Sequence, residues 1–187
     1  MSRNSRIFNR RSIRLKEYDY SSAGGYFVTI CTNNRAMLFG TVANDEVILN
    51  KAGLMIAKWI AKLPEKFPGC IVDCVIIMPN HVHIILILTR DGTTDSDTEP
   101  NNFIDLSNSD HAKDFPPLGR IIQWFKTMTT NEYIRHVKQD GWKPFRKRLW
   151  QRNYFEHIIR DEIDLKQKRK YVVYNPCKWP QDQYYKD

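Results

Sequence analysis

The sequence predicts an α+β domain, a mostly antiparallel sheet with helices packed on it. Three observations carry that expectation. Two short β-branched and apolar runs, CIVDCVIIM and HVHIILIL, meet at a Pro-Asn turn dipeptide. Helical apolar spacing begins at Met55 and again at Leu118. Hydrophobic content is 42% across 187 residues, enough for one core and one domain, 1–187.

In chain order, GGYFVTICT (Gly24 to Thr32) reads as a strand, and VILN (Val47 to Asn50) as a short second one. Asn50 then caps a helix carrying Met55, Ile56, Trp59, Ile60 and Leu63, which Pro64 is expected to stop. In the strand after Pro79-Asn80, residues Val82, Ile84, Leu86 and Leu88 face one way. His81, His83, Ile85 and Ile87 face the other, so this is a central strand covered on both sides. Residues 90–117 are polar and aperiodic and read as a surface insertion. From Leu118, positions Ile121, Ile122, Phe125, Met128, Tyr133, Ile134 and Val137 give a helix of roughly five turns. YFEHIIR is a further strand. Asp161 and Asp164 form a capping-box variant that opens a last helix, EIDLKQKRKYVVYN, ending before Pro176.

The formal charge is +8 with a pI near 9.3. It is unevenly spread: segment 90–117 is net −5, so the remainder carries +13. Such a body favours an anionic partner, nucleic acid first. The basic N-terminal arm, 1–20, lacks the apolar stretch of a secretory signal, and no run approaches the ~20 apolar residues of a membrane span. The expectation is a cytoplasmic protein with reduced thiols and no membrane partner.

The histidines carry the chemistry. Side chains at i and i+2 of a strand share a face about 6–7 Å apart, where two imidazoles can hold one divalent ion and leave positions open for a substrate oxygen. Two readings compete with it. The histidines could be core residues bonded to carbonyls, or Cys70, Cys74, His81 and His83 could form a structural zinc site. On the last helix Tyr171 and Asn175 share a face, one a nucleophile type and one an oxygen ligand type. Lys168, Arg169 and Lys170 lie on the same helix. Basic residues Lys143, Arg146, Lys147, Arg148 and Arg152 interleave with Trp142, Phe145 and Trp150, the pattern of backbone charge plus base stacking.

Four blocks in order, GGYFVTICT, MPNHVH, WQRNYFEHIIRDE and YVVYNP-x-KW, resemble the REP-associated tyrosine transposases. These are single-tyrosine relatives of insertion-sequence transposases, in the superfamily marked by a His-hydrophobic-His pair. The resemblance runs from about Gly24 to Asp182. It implies a ferredoxin-like fold, Mg²⁺ or Mn²⁺ on His81 and His83, Tyr171 as nucleophile and Asn175 as third ligand. Tyr154, with His157 three residues on, is a rival nucleophile. The implied activity is nicking and joining of single-stranded DNA hairpins through a 5′-phosphotyrosine, by a monomer or homodimer. The alternative is a non-catalytic DNA-binding protein of the same fold.

Overall fold

A computed structural model of the chain describes residues 23–89 and 117–185. The basic arm 1–20 and all of the acidic insertion except Pro117 lie outside them.

Strand β1 (Gly24–Cys31) leads to a hairpin of β2 (Gly40–Ala43) and β3 (Glu46–Leu49). Helices α1 (Lys51–Ala61) and α2 (Leu63–Lys66) follow, then strands β4 (Cys70–Met78) and β5 (His81–Leu88). Helix α3 (Leu118–Gln139), strand β6 (Phe155–Ile159) and helix α4 (Glu162–Val173) complete the frame. A 3₁₀ turn, Pro176–Gln181, ends it. The main sheet has the order β4-β5-β1-β6, every pair antiparallel. With α1 between β1 and β4, and α3 between β5 and β6, this is the β-α-β-β-α-β arrangement of a ferredoxin-like fold.

The two faces of the sheet do different work. Tyr26, Val28 and Ile30 of β1 and Val82, Ile84 and Leu86 of β5 enter the main core with Met55 and Ile56 of α1 and Ile121, Ile122 and Phe125 of α3. The opposite face carries a smaller cluster: Phe27, Ile85 and Ile159 beneath Val172 of α4. Strand β5 is therefore central and covered on both sides, as its two apolar faces require.

Local signals explain most boundaries. The Asn50 side chain accepts from Gly53 N at 3.0 Å and caps α1. Asp161 does the same for α4, accepting from Asp164 N at 2.8 Å. The reciprocal half of that box is altered: Asp164 accepts from Arg160 N and pairs with His157. Strand β4 has a register shift between Val72 and Cys74, leaving Asp73 bulged from the ladder. The Arg169 guanidinium of α4 grips that carboxylate with two hydrogen bonds, one of them Nε to Oδ2 at 2.8 Å.

Some expectations need correction. Pro64 does not end the helical region; it sits in the first turn of α2, where its missing N–H costs nothing. Helix α4 ends at Val173, earlier than Asn175, because Tyr174 and Asn175 already turn toward the 3₁₀ segment. Strand β2 was not anticipated. Its hairpin turns at Asn44 and Asp45, both with positive φ (52° and 61°), the geometry of a two-residue turn matched to strand twist.

Candidate active site

The turn between β4 and β5 builds the centre from below. Asn80 is fully buried. Its Nδ2 donates to Tyr184 O at 2.8 Å and Arg35 O at 3.3 Å, which fixes the orientation of the amide. Asn80 Oδ1 must then accept from His81 Nδ1 at 2.8 Å. The neutral His81 ring consequently presents a lone pair at Nε2. His83 is held by the strand opposite: Thr29 is its cross-strand partner, and the Thr29 hydroxyl lies 2.8 Å from His83 Nδ1. The two Nε2 atoms converge to 3.0 Å.

Helix α4 and the segment after it close the centre from above. The Tyr171 ring stands edge-on to Phe27 and His83, with centroids 5.7 and 5.1 Å away. It is 40% exposed, so its hydroxyl borders a cleft of about 800 Å³ that Lys170, Tyr174, Asn175 and Asp182 also line. Asn175 is 2% exposed, and its Nδ2 donates to Asp182 Oδ2 at 2.9 Å. Asn175 Oδ1 is buried with no hydrogen-bond partner. The ligand atoms of His81, His83 and Asp182 all lie within 4.8 Å of one another.

The electrostatics follow from burial. Desolvation lowers His81 to a pKa of about 4, although Asp182 opposes the shift. Desolvation, then the neighbouring His81, lowers His83 well below its usual range. Both rings are neutral at pH 7, the state a metal ligand needs. Desolvation pushes the Tyr171 phenol up to about 12, with Asp182 and Tyr184 adding to it. A bound cation would reverse the sign of that local field.

The residues present fit a divalent cation. Two buried imidazoles and a carboxylate bring their ligand atoms together, a mixed nitrogen and oxygen donor set, and Asn175, whose buried Oδ1 is orphaned, is bonded to that carboxylate. A Cys₂His₂ site does not fit. Cys70 packs in the main core and Cys74 against the opposite face, and Cys70 pairs with Leu88, at the far end of β5 from His81. Burial pushes the Cys70 thiol up to about 12, which keeps it protonated and inert.

Other anticipated residues fall elsewhere. Tyr154 packs against the main core with Lys126 over its ring, on the face of the sheet away from the histidines. His157 faces α4, where its Nε2 lies 2.7 Å from Asp164 Oδ2. Trp150 is not a stacking residue. It is 4% exposed between Phe39 and Phe125, and its Nε1 donates to Thr129 Oγ1 at 2.9 Å. Trp142 stacks on His136, and Phe145 packs on Tyr133. The basic residues around them, Lys143, Arg146, Lys147, Arg148 and Arg152, are exposed. Arg169 is committed to Asp73, Lys168 lies over Phe27 and Lys170 over Tyr174.

Asp182 and Tyr184 were not anticipated. Tyr184 packs 4.7 Å from the His81 ring, and Arg35 Nη1 donates to Gln183 O at 2.7 Å, so the segment lies across the histidines. His81 and His83 are 0% and 1% exposed as a result. The Asp-x-Tyr spacing carries no periodic signal. Its placement depends on contacts with residues more than 100 positions away, Asn80 and Arg35.

No family model matches the chain. It is 36% identical to a Haemophilus influenzae protein of uncharacterised function, over 98% of this chain and 97% of that protein. A second protein of the same organism, which bears the name of REP-associated tyrosine transposase, is 23% identical over 90% of this chain and 84% of its own length. The solved structure of a REP-associated tyrosine transposase bound to a REP hairpin superposes with a TM-score of 0.50 at 20% identity. The match covers 89% of this chain and 73% of that one. The described residues include no helix long and apolar enough to cross a membrane. The chain belongs to one family with the 36%-identical Haemophilus protein, and it is a relative of the REP-associated tyrosine transposases.

Proposed function

We propose that the protein nicks and rejoins single-stranded DNA at hairpin or palindromic repeats, with Tyr171 as the nucleophile. The observation that carries this reading is a half-exposed tyrosine, Tyr171, standing edge-on to His83 at a cleft that Asp182 also lines, with the neutral pair His81 and His83 buried behind it and their ligand atoms within 4.8 Å of Asp182. The hairpin named with the solved relative supports the substrate class.

His81, His83 and Asp182 would hold Mg²⁺ or Mn²⁺, with Asn175 Oδ1 as a further donor. When bound, the ion supplies positive charge at a phosphate oxygen. Asn80 and Thr29 orient the two imidazoles from behind. Asn175 steadies Asp182, and the Phe27 and His83 rings set the angle of the phenol. The Tyr171 oxygen bonds to phosphorus as the bond to the 3′-oxygen breaks, and the phenolic proton ends on that leaving oxygen. A phosphodiester replaces a phosphodiester, so a 3′-hydroxyl can reverse the step without ATP. Arg148, Arg152, Lys143, Arg146 and Lys147 supply exposed charge for the DNA backbone.

A second reading, a non-catalytic DNA-binding protein, is favoured by one observation: the histidines are covered by Trp179 and Tyr184. The two readings separate on a denaturing gel. End-labelled hairpin oligonucleotides from the DNA flanking the gene, incubated with Mg²⁺ or Mn²⁺, are expected to give a covalent protein–DNA adduct that EDTA abolishes. Tight binding without adduct, across varied oligonucleotides, would select the binder.

A further inference from the structure

We infer that Phe155 is a base-stacking platform for a nucleotide next to the scissile phosphate; this rests on the function proposed above. Phe155 opens β6 and is 45% exposed, whereas the other described phenylalanines are buried or half-buried. Its partner across the ladder is Thr29, whose hydroxyl holds His83. Directly opposed residues of an antiparallel pair have Cβ atoms about 4.5–5.5 Å apart, on one face. Phe155 therefore stands one strand away from the residue that orients a candidate metal ligand.

The aromatic contacts give the direction. The Phe155 ring lies 6.5 Å from Phe27, edge-on at 68°. Phe27 in turn stacks at 5.3 Å on His83 and meets Tyr171 at 5.7 Å. Phe155 is the exposed end of an aromatic series whose buried end is the centre. Lys168 Nζ sits 5.6 Å over Phe27, which places a cation beside the series. Among the described residues strand β6 is the sheet edge, and none of them adds a further strand beside the ring. A phenyl face has no polar group to offer water but accepts any nucleobase, and a nearby ammonium suits the phosphate.

The tryptophans that the sequence offered for stacking are unavailable for it. Trp150 is buried, and Trp142 is stacked on His136. Single-strand binding of this kind combines backbone charge with an aromatic face. Beside the nucleophile, Phe155 and Tyr174 are exposed rings not packed on the histidines; Tyr174 carries Lys170 over its ring, whereas Phe155 continues the aromatic series through Phe27.

The test uses a Tyr171→Phe background, which prevents strand cleavage, and oligonucleotides carrying 2-aminopurine at successive positions around the cleavage junction. Binding is expected to quench emission at one or two of these positions. Phe155→Ala should restore that emission and weaken binding roughly 5- to 150-fold. Phe155→Leu, which keeps apolar contact with Phe27 and guards against a folding defect, should behave like Ala; Phe155→Trp should behave like the parent. The inference is overturned if Ala and Leu leave emission and affinity unchanged while the protein with Tyr171 intact still forms its adduct. It is equally overturned if Phe155→Ala converts a dimer into a monomer in sedimentation with emission unchanged, because the ring then belongs to an interface between copies. A parent protein that neither binds nor forms an adduct removes the proposed function itself, and this result is read without any Phe155 variant.

Discussion

Tyr171→Phe is expected to lose adduct formation by a factor on the order of 10⁴ or more, since removing a nucleophile leaves only binding and electrostatics. The substitution removes the side-chain hydrogen bond between the phenol and Asn175 and keeps the ring contacts. The ring makes the edge contacts with Phe27 and His83, and phenylalanine keeps them. The Asn175–Asp182 hydrogen bond does not involve the phenol. Stability should therefore fall by about 1 kcal/mol, the net worth of one hydrogen bond at a half-exposed position. Tyr174→Phe, half-exposed on the same cleft, and Tyr154→Phe, on the other face, should both retain the adduct. An adduct that survives in Tyr171→Phe and disappears in one of these would move the nucleophile to that residue.

The second large effect is on stability, in EDTA, as pH falls from about 6.5 to about 4. His81 has a folded-state pKa of about 4 against 6.5 for the model imidazole, mainly through desolvation. Between those values the unfolded chain binds more protons than the folded one, so acid favours unfolding. The contribution is fully present above the unfolded pKa and is lost as pH falls through the folded one. For His81 this is about 3 kcal/mol at roughly 1.4 kcal/mol per unit. His83 is shifted in the same direction by burial and by His81, and adds to the loss. Glu132 and Asp164, whose pKa values are lowered, lose their contribution at still lower pH. Urea midpoints at pH 7.5, 6, 5 and 4.5 would measure the slope. His81→Gln should reduce it, leaving the part that burial of His83 contributes, and a parent protein with no slope above pH 4.5 would refute the buried neutral pair.

The sheet was readable because its signals are local. Period-two apolar runs, the Pro79-Asn80 turn and the Asn50 cap each act within a few residues. The shared face of His81 and His83 follows from strand geometry alone. What failed was direction. Trp142, Phe145 and Trp150 alternate with basic residues, but an irregular segment has no period from which to read a face. The Trp150 indole turns inward because Thr129 offers it a buried acceptor. The Asn80 side chain gave no sign that it would hold His81 as well as make a turn. Asp182 reaches the centre because the 3₁₀ turn Pro176–Gln181 and a hydrogen bond from Asn175 bring it there.

Helix α4 buries a single residue, Val172, and is tied laterally by the Arg169 grip on the bulged Asp73 and by Asp164 to His157 of β6. Strand β5, by contrast, is buried along nearly its whole length and paired on both sides. Amide protons of α4 should accordingly exchange with deuterium well before those of β5, as one opening unit. Arg169→Ala should accelerate that exchange in α4 and leave β5 unchanged. The helix that presents Tyr171 is thus less costly to lift than the strand that presents the histidines.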